Sequence, residues 1–433
     1  MDFATFPEVE RYLNSLINYE QAFPLGGARD RPKLQPTLDA AERLELPLSL
    51  PNCVHIAGTK GKGSVARFLE CLLSPGHQVL SFTSPHLKSV KERVRLNGEL
   101  LDDSIWQRGF AEITGALQRE PAVKLTYFES TFIFYLWAAQ ALGVDVNVVE
   151  SGLGGMYDAT NVLSDTLAVL TRVDYDHTEI LGNTLTEIAT DKSGIIKFRA
   201  RVVVGRQPGE ALSVYELRIA AENATGAFFG ADYGWVPEGD GCFKYQDVQR
   251  TVDNLSLSVT GAHQRDNASI AIRAATTLFD DLAPEAIRDA VSSCVIPGRQ
   301  QLLKGTPDIL VDVAHNPVSF RALADTLRES YGKRRILAVI GMVKTKDAAG
   351  SLSALKGLVT DVRIVALNNP RSYKQEDLCA IATSLGIKAD CSMSQEEAFA
   401  DLHRHGEHDL GLVAGSFYVA GDYLIWRERA RTS

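Results

Sequence analysis

The sequence predicts an α/β protein with two domains, each a mostly parallel β-sheet covered by helices. The chain has 433 residues, which is too long for one typical core. Strand-like apolar runs alternate with helix-like patterns along most of it, and this alternation is typical of parallel sheets. It restarts near residue 308, after a Pro-Gly pair at 297–298. We therefore predict a larger N-terminal domain over 1–295 and a smaller, doubly wound Rossmann-like domain over 296–433.

The individual elements are predicted from local patterns. Strands are predicted at 53–57, 79–82, 146–151, 167–173 and 202–205, and helices near 64–73, 104–118, 129–141, 184–192, 264–278 and 284–293. In the second domain, strands are predicted within 308–314, 335–343, 362–367, 388–391 and 409–416. Residues 23–36 indicate a turn-rich loop. Residues 225–260, rich in Gly, Asp and aromatic residues, predict a small antiparallel appendage.

Composition and charge exclude several classes of protein. The chain is 45% hydrophobic and 23% charged with a net charge of −9, which argues against broad binding to nucleic acid or anionic membranes but not against small anionic ligands. The apolar segment 131–144 is shorter than the roughly 20 residues of a membrane span and predicts a buried helix. The acidic N-terminus does not resemble a signal peptide, so we expect a cytoplasmic protein. The six cysteines lack C-x-x-C spacing, which favours free thiols over disulfides or a zinc site.

The segment HIAGTKGKGS, residues 55–64, lies between a predicted strand and a predicted helix. A glycine-rich turn at this place directs backbone N–H groups toward an anion, and a lysine and a hydroxyl residue there meet phosphates and magnesium. Lys62 and Ser64 fit these roles, although Gly63 separates them where the usual spelling has Lys followed directly by Ser or Thr. The alternative is a tight turn without a ligand. The placement between strand and helix favours a phosphate-binding loop.

Two further segments follow predicted strands, at the edge of the sheet where open α/β folds bind ligands. Thr83-Ser84-Pro85-His86 follows the strand at 79–82, so Ser84 is a candidate magnesium ligand, and His86 and Arg93 are candidate substrate contacts. Glu150 ends the next predicted strand and precedes a glycine-rich segment. A carboxylate at this position is typical of a magnesium contact beside a phosphate loop. The alternative for each segment is a solvated turn.

Two more groups of polar residues occupy similar positions. Asp176-His177 follow the strand at 167–173, and Lys192 lies near the end of the next helix. In the second domain, Asp312 and His315-Asn316 stand where a strand is followed by a helix, with Arg299 upstream. A lone His is usually structural and a lone Lys is usually solvated. Their place at the carboxyl end of parallel strands favours a functional role, including contact of the second domain with a nucleotide held by the first.

Taken together, these segments resemble one family, the folylpolyglutamate synthase/dihydrofolate synthase family of Mur-ligase-like, ADP-forming amide ligases. The resemblance rests on seven ordered motifs that span most of the chain: HIAGTKGKGS, TSPHL with KERVRLNG, FES, ESGLGG with DATNV, DH with DKSGIIK, PGRQQL and DVAHNP. It implies a Mur-ligase-like phosphate-loop domain followed by a glutamate ligase domain. The family spells its phosphate loop G-T-[NK]-G-K-G-[ST], so the additional glycine is the family form.

The resemblance implies an ATP-dependent enzyme that joins L-glutamate to a folate or dihydropteroate carboxylate through an acyl phosphate. It also implies a monomer with two Mg²⁺ sites and a carbamylated Lys192. The implied ATP contacts are Gly58, Thr59, Lys60, Gly61, Lys62, Gly63, Ser64, Asn267, Arg299, Asp312 and His315. The implied magnesium ligands are Ser64, Ser84 and Glu150 at one site and His177 and Lys192 at the other. Lys62, His177 and Lys192 are the implied catalytic residues, and His86, Asp158 and Ser416 the implied substrate contacts.

The chain departs from the family pattern in three places. The GLGG segment continues as Met156-Tyr157-Asp158 where many members have Gly-Gly-Arg-x-Asp, Asp191-Lys192-Ser193-Gly194 replaces the commoner Glu-Lys-Ala-Gly, and 23–36 is too divergent to assign pterin contacts. Other functions that the sequence leaves open are a phosphate-loop kinase or ATPase, a non-catalytic binding module, and a related ligase that acts on a different carboxylic acid. A peptidoglycan-precursor ligase is disfavoured, because the loop begins at residue 58 and leaves no room for a preceding domain.

Overall fold

The computed structural model describes residues 2–19, 34–239, 241–259, 261–332, 334–404, 406 and 408–432. Contacts between residues divide the chain into two units. Unit 1 comprises Met1–Pro85, Val90–Ser258 and His263–Cys294, and unit 2 comprises His86–Ser89, Val259–Ala262 and Val295–Ser433. Unit 2 thus includes two short segments from the earlier part of the chain, which no pattern in the sequence indicated.

Unit 1 contains an eight-stranded sheet with buried central strands. Its strands are β1 (Cys53–Ala57), β2 (Val79–Phe82), β3 (Val94–Leu96), β4 (Glu99–Leu100), β5 (Val146–Glu150), β6 (Leu167–Leu170), β7 (Arg201–Val204) and β8 (Thr225–Phe228). The order is β4-β3-β2-β5-β1-β6-β7-β8, with antiparallel pairing of β2 with β3 and of β3 with β4 and parallel pairing elsewhere. This confirms the predicted parallel sheet and its five predicted strands.

Helices cover this sheet, as its continuous apolar strands require. They are α1 (Phe6–Asn14), α2 (Gln35–Arg43), α3 (Lys62–Leu73), α4 (Asp103–Leu117), α5 (Tyr127–Leu142), α6 (Thr178–Leu181), α7 (Leu185–Lys192), α8 (Gly209–Ala221), α9 (Ala262–Leu278) and α10 (Pro284–Ser293). Most of the apolar segment at 131–144 lies in α5, which ends at Leu142 and whose side chains from Tyr127 to Ala139 are mostly buried, and this confirms the predicted buried helix. In the part of the chain that the structure describes, no helix is both long and apolar enough to cross a membrane.

Two predicted boundaries need correction. Residues 23–33, most of the predicted loop at 23–36, lie outside the described residues, and Gln35 and Pro36 already belong to α2. Pro at the start of a helix is compatible with helix geometry, so this proline marks a helix start and not a loop. The antiparallel appendage is confirmed as β9 (Tyr233–Gly239), β10 (Cys242–Asp247) and β11 (Thr251–Leu255), but 225–228 forms β8 of the parallel sheet instead.

Unit 2 is a second α/β layer structure with a six-stranded sheet. Its strands are β12 (Gln301–Leu303), β13 (Asp308–Val311), β14 (Ile336–Ile340), β15 (Asp361–Ile364), β16 (Ala389–Asp390) and β17 (Leu410–Ala414), in the order β12-β13-β17-β14-β15-β16. Its helices are α11 (Pro317–Thr326), α12 (Ala348–Ser353), α13 (Gln375–Ser384), α14 (Gln395–Asp401) and α15 (Phe417–Thr432). Leu310 belongs to one apolar cluster and its neighbours Ile309 and Val311 to another, so the sheet is packed on both faces.

Candidate active site

The glycine-rich loop joins β1 to α3 and has two differently anchored halves. The backbone N–H groups of Thr59 and Lys60 both donate to the carbonyl of Arg172, at 2.9 and 3.1 Å, which fastens the first half to the segment after β6. The second half begins helix α3, whose first intrahelical bond runs from Val65 N–H to Gly61 O at 2.9 Å. A helix N-terminus concentrates N–H groups and positive dipole, so the second half is the part suited to an anion.

At two positions of this loop, neighbouring side chains leave no space for a Cβ, so glycine is required. A Cβ at Gly58 would overlap the side chain of Thr171. Gly61 has a φ of +93°, and the side-chain oxygen of Asn267 occupies the space that a Cβ there would need. Asn267 comes from α9, and its Nδ2 donates to Gln264 Oε1 at 3.0 Å, which fixes its orientation. The structure therefore brings Asn267, one of the implied ATP contacts, against the loop.

Lys62, Ser84 and Glu150 converge at the start of α3. Lys62 Nζ donates to Gly58 O at 3.1 Å and lies 4.0 Å from Glu150 Oε1. The backbone N–H of Ser84 donates to Glu150 Oε2 at 3.1 Å, which ties the loop after β2 to the end of β5. A Cβ placed on Gly63 would lie 3.4 Å from Glu150 Oε2, so the carboxylate rests directly against this glycine. Ser64, on the same turn of α3, is 3% exposed.

Asp176 and His177 lie on the loop between β6 and α6. Lys60 Nζ forms an ion pair with Asp176 Oδ2 at 2.9 Å, so the loop after β6 also contacts the phosphate loop through the Lys60 side chain. His177 has a left-handed backbone, with a φ of +50°, and its ring nitrogens lie 3.9 Å from Asp176 and 3.9 Å from Glu179 oxygens. Its side chain is 48% exposed, which leaves the ring accessible to a ligand.

Lys192, the last residue of α7, is a buried cation in the same region, with 3% exposure. Burial and, to a smaller extent, the positive charge of Lys62 lower the pKa of its amine to about 7, while Asp191 and Asp176 act in the opposite direction. These interactions place the Lys192 amine within electrostatic range of the phosphate-loop lysine. They also mean that a substantial share of the amine is uncharged near neutral pH.

The glycine-rich segment after Glu150 packs on the end of α7. A Cβ at Gly155 would lie 2.7 Å from the carbonyl oxygen of Lys192, and Gly155 N–H donates to Asp191 Oδ1 at 2.9 Å. Met156 N–H adds a bond to the Asp191 carbonyl at 2.8 Å. These glycines therefore allow a close approach of the backbone to the helix that carries Lys192.

Two residues predicted to contact substrate occupy structural positions. Asp158 is buried and accepts hydrogen bonds from the N–H groups of Leu153 at 2.8 Å and Thr160 at 3.0 Å, so it caps the turn that follows; burial raises its pKa. Arg93 is 1% exposed and stacks on the ring of Tyr127 at 5.0 Å, inside unit 1. Arg93 is thus a core residue, and the prediction that it reaches substrate is wrong.

In unit 2, the predicted residues gather where β13 and β17 end. Asp312 accepts hydrogen bonds from the N–H groups of Gln300 at 2.9 Å and Ala314 at 2.7 Å. Burial raises its pKa to about 6, and Arg299 opposes this shift. The Arg299 guanidinium lies 5.2 Å from the centre of the Phe417 ring, and the His315 ring lies 6.0 Å from the same ring.

The two other predicted residues of unit 2 have different surroundings. Ser416 is buried, and its hydroxyl accepts a bond from Val419 N–H at 3.1 Å, which caps the start of α15. His86 is half-buried in the short segment 86–89.

The sequence analysis did not identify the buried charged residues that connect the elements of the site. Glu70 on α3 is 1% exposed, and it accepts bonds from Arg95 Nη2 at 2.9 Å and Arg67 Nη1 at 2.6 Å. Arg95 Nη1 also donates to Thr83 Oγ1 at 3.2 Å. This network connects the phosphate-loop helix to the loop that carries Ser84. An i,i+3 pair of opposite charge on a helix is usually a surface feature, so the pattern gave no indication of burial.

Comparison with known proteins gives consistent matches. A sequence profile of the Mur ligase glutamate ligase domain matches residues 298–417. The dihydrofolate synthase/folylpolyglutamate synthase of Escherichia coli is 33% identical over 390 residues, covering 89% of this chain and 88% of that protein. The Bacillus subtilis protein of the same name is 30% identical over 396 residues, covering 88% and 91%.

Solved structures agree with the sequence matches. The structure of E. coli FolC in complex with DHPP and ADP has a TM-score of 0.86 at 31% identity and covers 99% of both chains. The Mycobacterium tuberculosis folylpolyglutamate synthase complexed with ADP has a TM-score of 0.84 at 26% identity, covering 99% of this chain and 97% of that one. With the phosphate loop, Glu150 and Lys192 brought together as described, the chain belongs to the folylpolyglutamate synthase/dihydrofolate synthase family of ATP-dependent ligases.

Proposed function

We propose that the protein joins L-glutamate to the carboxylate of a folate or of dihydropteroate, with conversion of ATP to ADP and phosphate. The observation that carries this proposal is the meeting of Lys62, Glu150, Ser84 and Lys192 around the start of α3. The named activities of the E. coli and B. subtilis relatives support the choice of reaction.

The chemistry explains why ATP is needed. A carboxylate resists attack by an amine at neutral pH because its oxygen is a poor leaving group. Transfer of the γ-phosphate to a substrate carboxylate oxygen gives an acyl phosphate and ADP. The glutamate amine then attacks the acyl carbon, the C–O bond to phosphate breaks, and the amide forms with release of phosphate and a proton. Such transfers depend mainly on positioning and on neutralisation of phosphate charge.

The residues of unit 1 have the properties that this reaction requires. The N–H groups at the start of α3 would bind the phosphates, with Lys62 on the β- and γ-oxygens, and Asn267 is held against the same turn. Gly58, Thr59 and Lys60 would shape the loop more than contact phosphate, because the N–H groups of Thr59 and Lys60 are used by Arg172. In unit 2, we assign ATP contacts to Arg299, Asp312 and His315.

The donor set fits magnesium. The hydroxyls of Ser64 and Ser84 and the Glu150 carboxylate are hard oxygen donors, which Mg²⁺ prefers, and one carboxylate completed by phosphates and water is a usual arrangement for this ion. No group of three or more His, Cys, Asp or Glu suited to a metal occurs among the described residues, which agrees with a site that depends on substrate oxygens. When bound, Mg²⁺ supplies positive charge that neutralises the phosphates.

A second magnesium site would use His177 and a carbamate on Lys192. Carbamylation, the addition of carbon dioxide to an uncharged amine with loss of a proton, converts a buried cation into an anionic oxygen ligand. The buried position of Lys192 beside Lys62 favours this conversion, because it removes a repulsion between two like charges.

For the remaining predicted contacts, we assign Ser416 to the glutamate side and His86 and Asp158 to the folate side, with Asp158 acting through the shape of its loop. We also propose a cytoplasmic monomer. Small molecules are the expected partners, without nucleic acid or membrane.

The test is phosphate release with ATP, Mg²⁺ and L-glutamate, with 7,8-dihydropteroate and a reduced folate monoglutamate tried separately. Release that requires both glutamate and one of these acids supports the proposal, and the active acid distinguishes the two synthase activities. Phosphate transfer without glutamate would instead identify a kinase or ATPase. Binding of ATP without activity on either acid would indicate a ligase for a different carboxylic acid.

A variant pair links the activity to the site. Glu150→Gln keeps the shape of the side chain and removes its charge, so activity should fall and the Mg²⁺ concentration needed for half-maximal rate should rise. Glu216→Gln, on the exposed face of α8, is the matched control and should behave as the unmodified protein. Equal Mg²⁺ dependence of the two variants would contradict the role of Glu150.

A further inference from the structure

Two cysteines far apart in the sequence have neighbouring thiols within unit 1. Cys71 lies on α3, one helical turn after Arg67, and Cys294 directly follows α10. The two thiols lie within interaction range of each other, and Cys294 Sγ donates to the carbonyl of Arg67, one helical turn before Cys71, at 3.5 Å. The pair therefore connects the helix that begins with the phosphate loop to the end of α10.

The two thiols have different surroundings. Cys71 is half-buried, whereas Cys294 is 1% exposed. The neighbouring Cys294 thiol lowers the pKa of the Cys71 thiol, and the guanidinium of Arg67 lowers it further, against the effects of burial and of the Glu70 carboxylate. The neighbouring Cys71 thiol and burial raise the pKa of Cys294. Cys71 is thus the accessible thiol of the pair and the one disposed to ionise, with a protonated partner beside it.

We propose that Cys71 and Cys294 are a site of reversible oxidation by peroxides, at which an intramolecular disulfide forms. The Cys71 thiolate attacks one oxygen of the peroxide, the O–O bond breaks, and the sulfur becomes a sulfenic acid as the peroxide is reduced to water or an alcohol. The Cys294 sulfur then attacks the sulfenic sulfur, and the hydroxyl leaves as water with the Cys294 proton. The net reaction consumes two thiols and one peroxide and yields one disulfide and either two waters, or one water and one alcohol.

Geometry and cross-linking physics support this site. A disulfide requires the two neighbouring sulfurs to approach to about 2.05 Å, which is a local displacement of side chains. Helices α3 and α10 pack on each other, so the elements that carry the two cysteines are already adjacent. The bond would close a very long loop of chain, which in the chain-entropy account favours the cross-linked folded state.

A second thiol pair provides an internal control. Cys379 on α13 and Cys391 in unit 2 also lie within interaction range of each other. Burial raises the pKa of Cys379 to about 11, and the neighbouring Cys391 thiol and the charge of Asp390 act in the same direction. Proximity is therefore shared by both pairs, while the positive guanidinium beside the thiol is a feature of the Cys71 pair. Peroxide should oxidise the Cys71 pair first, because the thiolate is the reactive form.

The experiment treats the folded, fully reduced chain with hydrogen peroxide, quenches with excess alkylating reagent at set times, and analyses unreduced peptides by mass spectrometry. The expected early product is one linked peptide pair that contains Cys71 and Cys294, lighter by two hydrogens than the sum of the reduced peptides. Thiol counting should show loss of two of the six cysteines. A reducing dithiol should restore both.

Variants separate this product from random oxidation. Cys294→Ser should stop Cys71 at the sulfenic acid, which a dimedone probe detects, whereas Cys379→Ser should leave the linked peptide unchanged. The proposal is overturned if no Cys71–Cys294 peptide forms, or if it forms no faster than a Cys379–Cys391 peptide. These readouts do not use the ligase reaction, so the outcome is independent of the proposed function.

Discussion

Asp312 allows the electrostatics of unit 2 to be tested by a single substitution. Its carboxylate is buried at the end of β13, it accepts two backbone hydrogen bonds, and Arg299 is the charged group whose field acts on it. Burial nevertheless raises its pKa from 3.8 to about 6. Asp312→Asn keeps the side-chain shape and removes the ionisation. We therefore predict a change in how the unfolding free energy of unit 2 depends on pH.

The sign follows from proton binding. Because the folded-state pKa of Asp312 lies above its unfolded value, the folded state holds the proton more tightly between pH 3.8 and about 6. The unfolding free energy of the unmodified protein should thus decrease as pH rises through this interval and stay constant above it. At about pH 5, one unit below the folded pKa, proton binding by Asp312 adds about 1.4 kcal/mol to the unfolding free energy, and at about pH 7.5 it adds almost nothing.

The assay is urea unfolding of both proteins at about pH 5 and about pH 7.5, with unit 2 followed by pulsed hydrogen exchange of the peptide that contains β13. When the pH falls from about 7.5 to about 5, the unfolding free energy of the unmodified protein should rise relative to that of Asp312→Asn by about 1.4 kcal/mol. The asparagine also loses one acceptor toward Gln300 and Ala314, which costs about 1–3 kcal/mol at both pH values and cancels in the comparison. Asp377→Asn, exposed on α13, measures the effect of removing a surface carboxylate.

The reasoning is refuted if the effect of Asp312→Asn on the unfolding free energy changes with pH no more than the effect of Asp377→Asn does. That result would mean that Asp312 ionises in the folded state as readily as in the unfolded chain. A pH-dependent change of the opposite sign would mean that Arg299 and the two N–H groups outweigh burial. Either outcome would be visible without any measurement of enzymatic activity.

Three further predictions concern unit 1. Gly61→Ala should lower the melting temperature, since a non-glycine residue at a φ of +93° costs about 1–2 kcal/mol before the overlap with Asn267 is counted, and ATP should no longer raise that temperature. Gly155→Ala should reduce turnover by a larger factor than it reduces the equilibrium constant for folding, because its Cβ would meet the Lys192 backbone at 2.7 Å; equal factors would contradict this. Lys192→Ala should abolish most turnover with an unchanged circular dichroism spectrum, and added short carboxylic acids should restore part of it; full activity would rule out the carbamate.

The parallel sheets were predictable because their strands are mostly apolar. Strands such as Cys53–Ala57 and Val146–Glu150 are buried on both faces, and such a strand leaves a largely apolar run in the sequence. Strands β3 and β4 at the sheet edge are two or three residues long and carry no comparable pattern. The division into units was partly hidden for another reason, because the segment 86–89 joins unit 2 through long-range contacts, such as the Lys88 Nζ–Glu428 Oε1 ion pair at 2.6 Å, that no local pattern shows.

For the candidate site, residue type and place along the chain were sufficient where a side chain follows a strand. Lys62, Glu150 and Lys192 were predicted in this way, and the structure places Lys62 4.0 Å from Glu150 and within electrostatic range of Lys192. Asp158 and Arg93 resemble them in type and position and are buried like Glu150 and Lys192, but Asp158 accepts backbone N–H bonds within its own turn and Arg93 lies on the ring of Tyr127. The contacts of a buried charged side chain depend on long-range packing, so no local pattern distinguishes these two cases.

The additional glycine of the phosphate loop has a physical explanation in this structure. Gly63 lies against the Glu150 carboxylate, and any side chain longer than a methyl group at this position would occupy the space between the carboxylate and the start of α3. The glycine therefore allows an anion to approach the helix N-terminus, where the dipole and Lys62 stabilise it. A nucleotide phosphate bound at the same N-terminus would face Glu150 as a like charge. A divalent cation converts this repulsion into shared coordination, so the position of Gly63 and the proposed need for Mg²⁺ are two consequences of one arrangement.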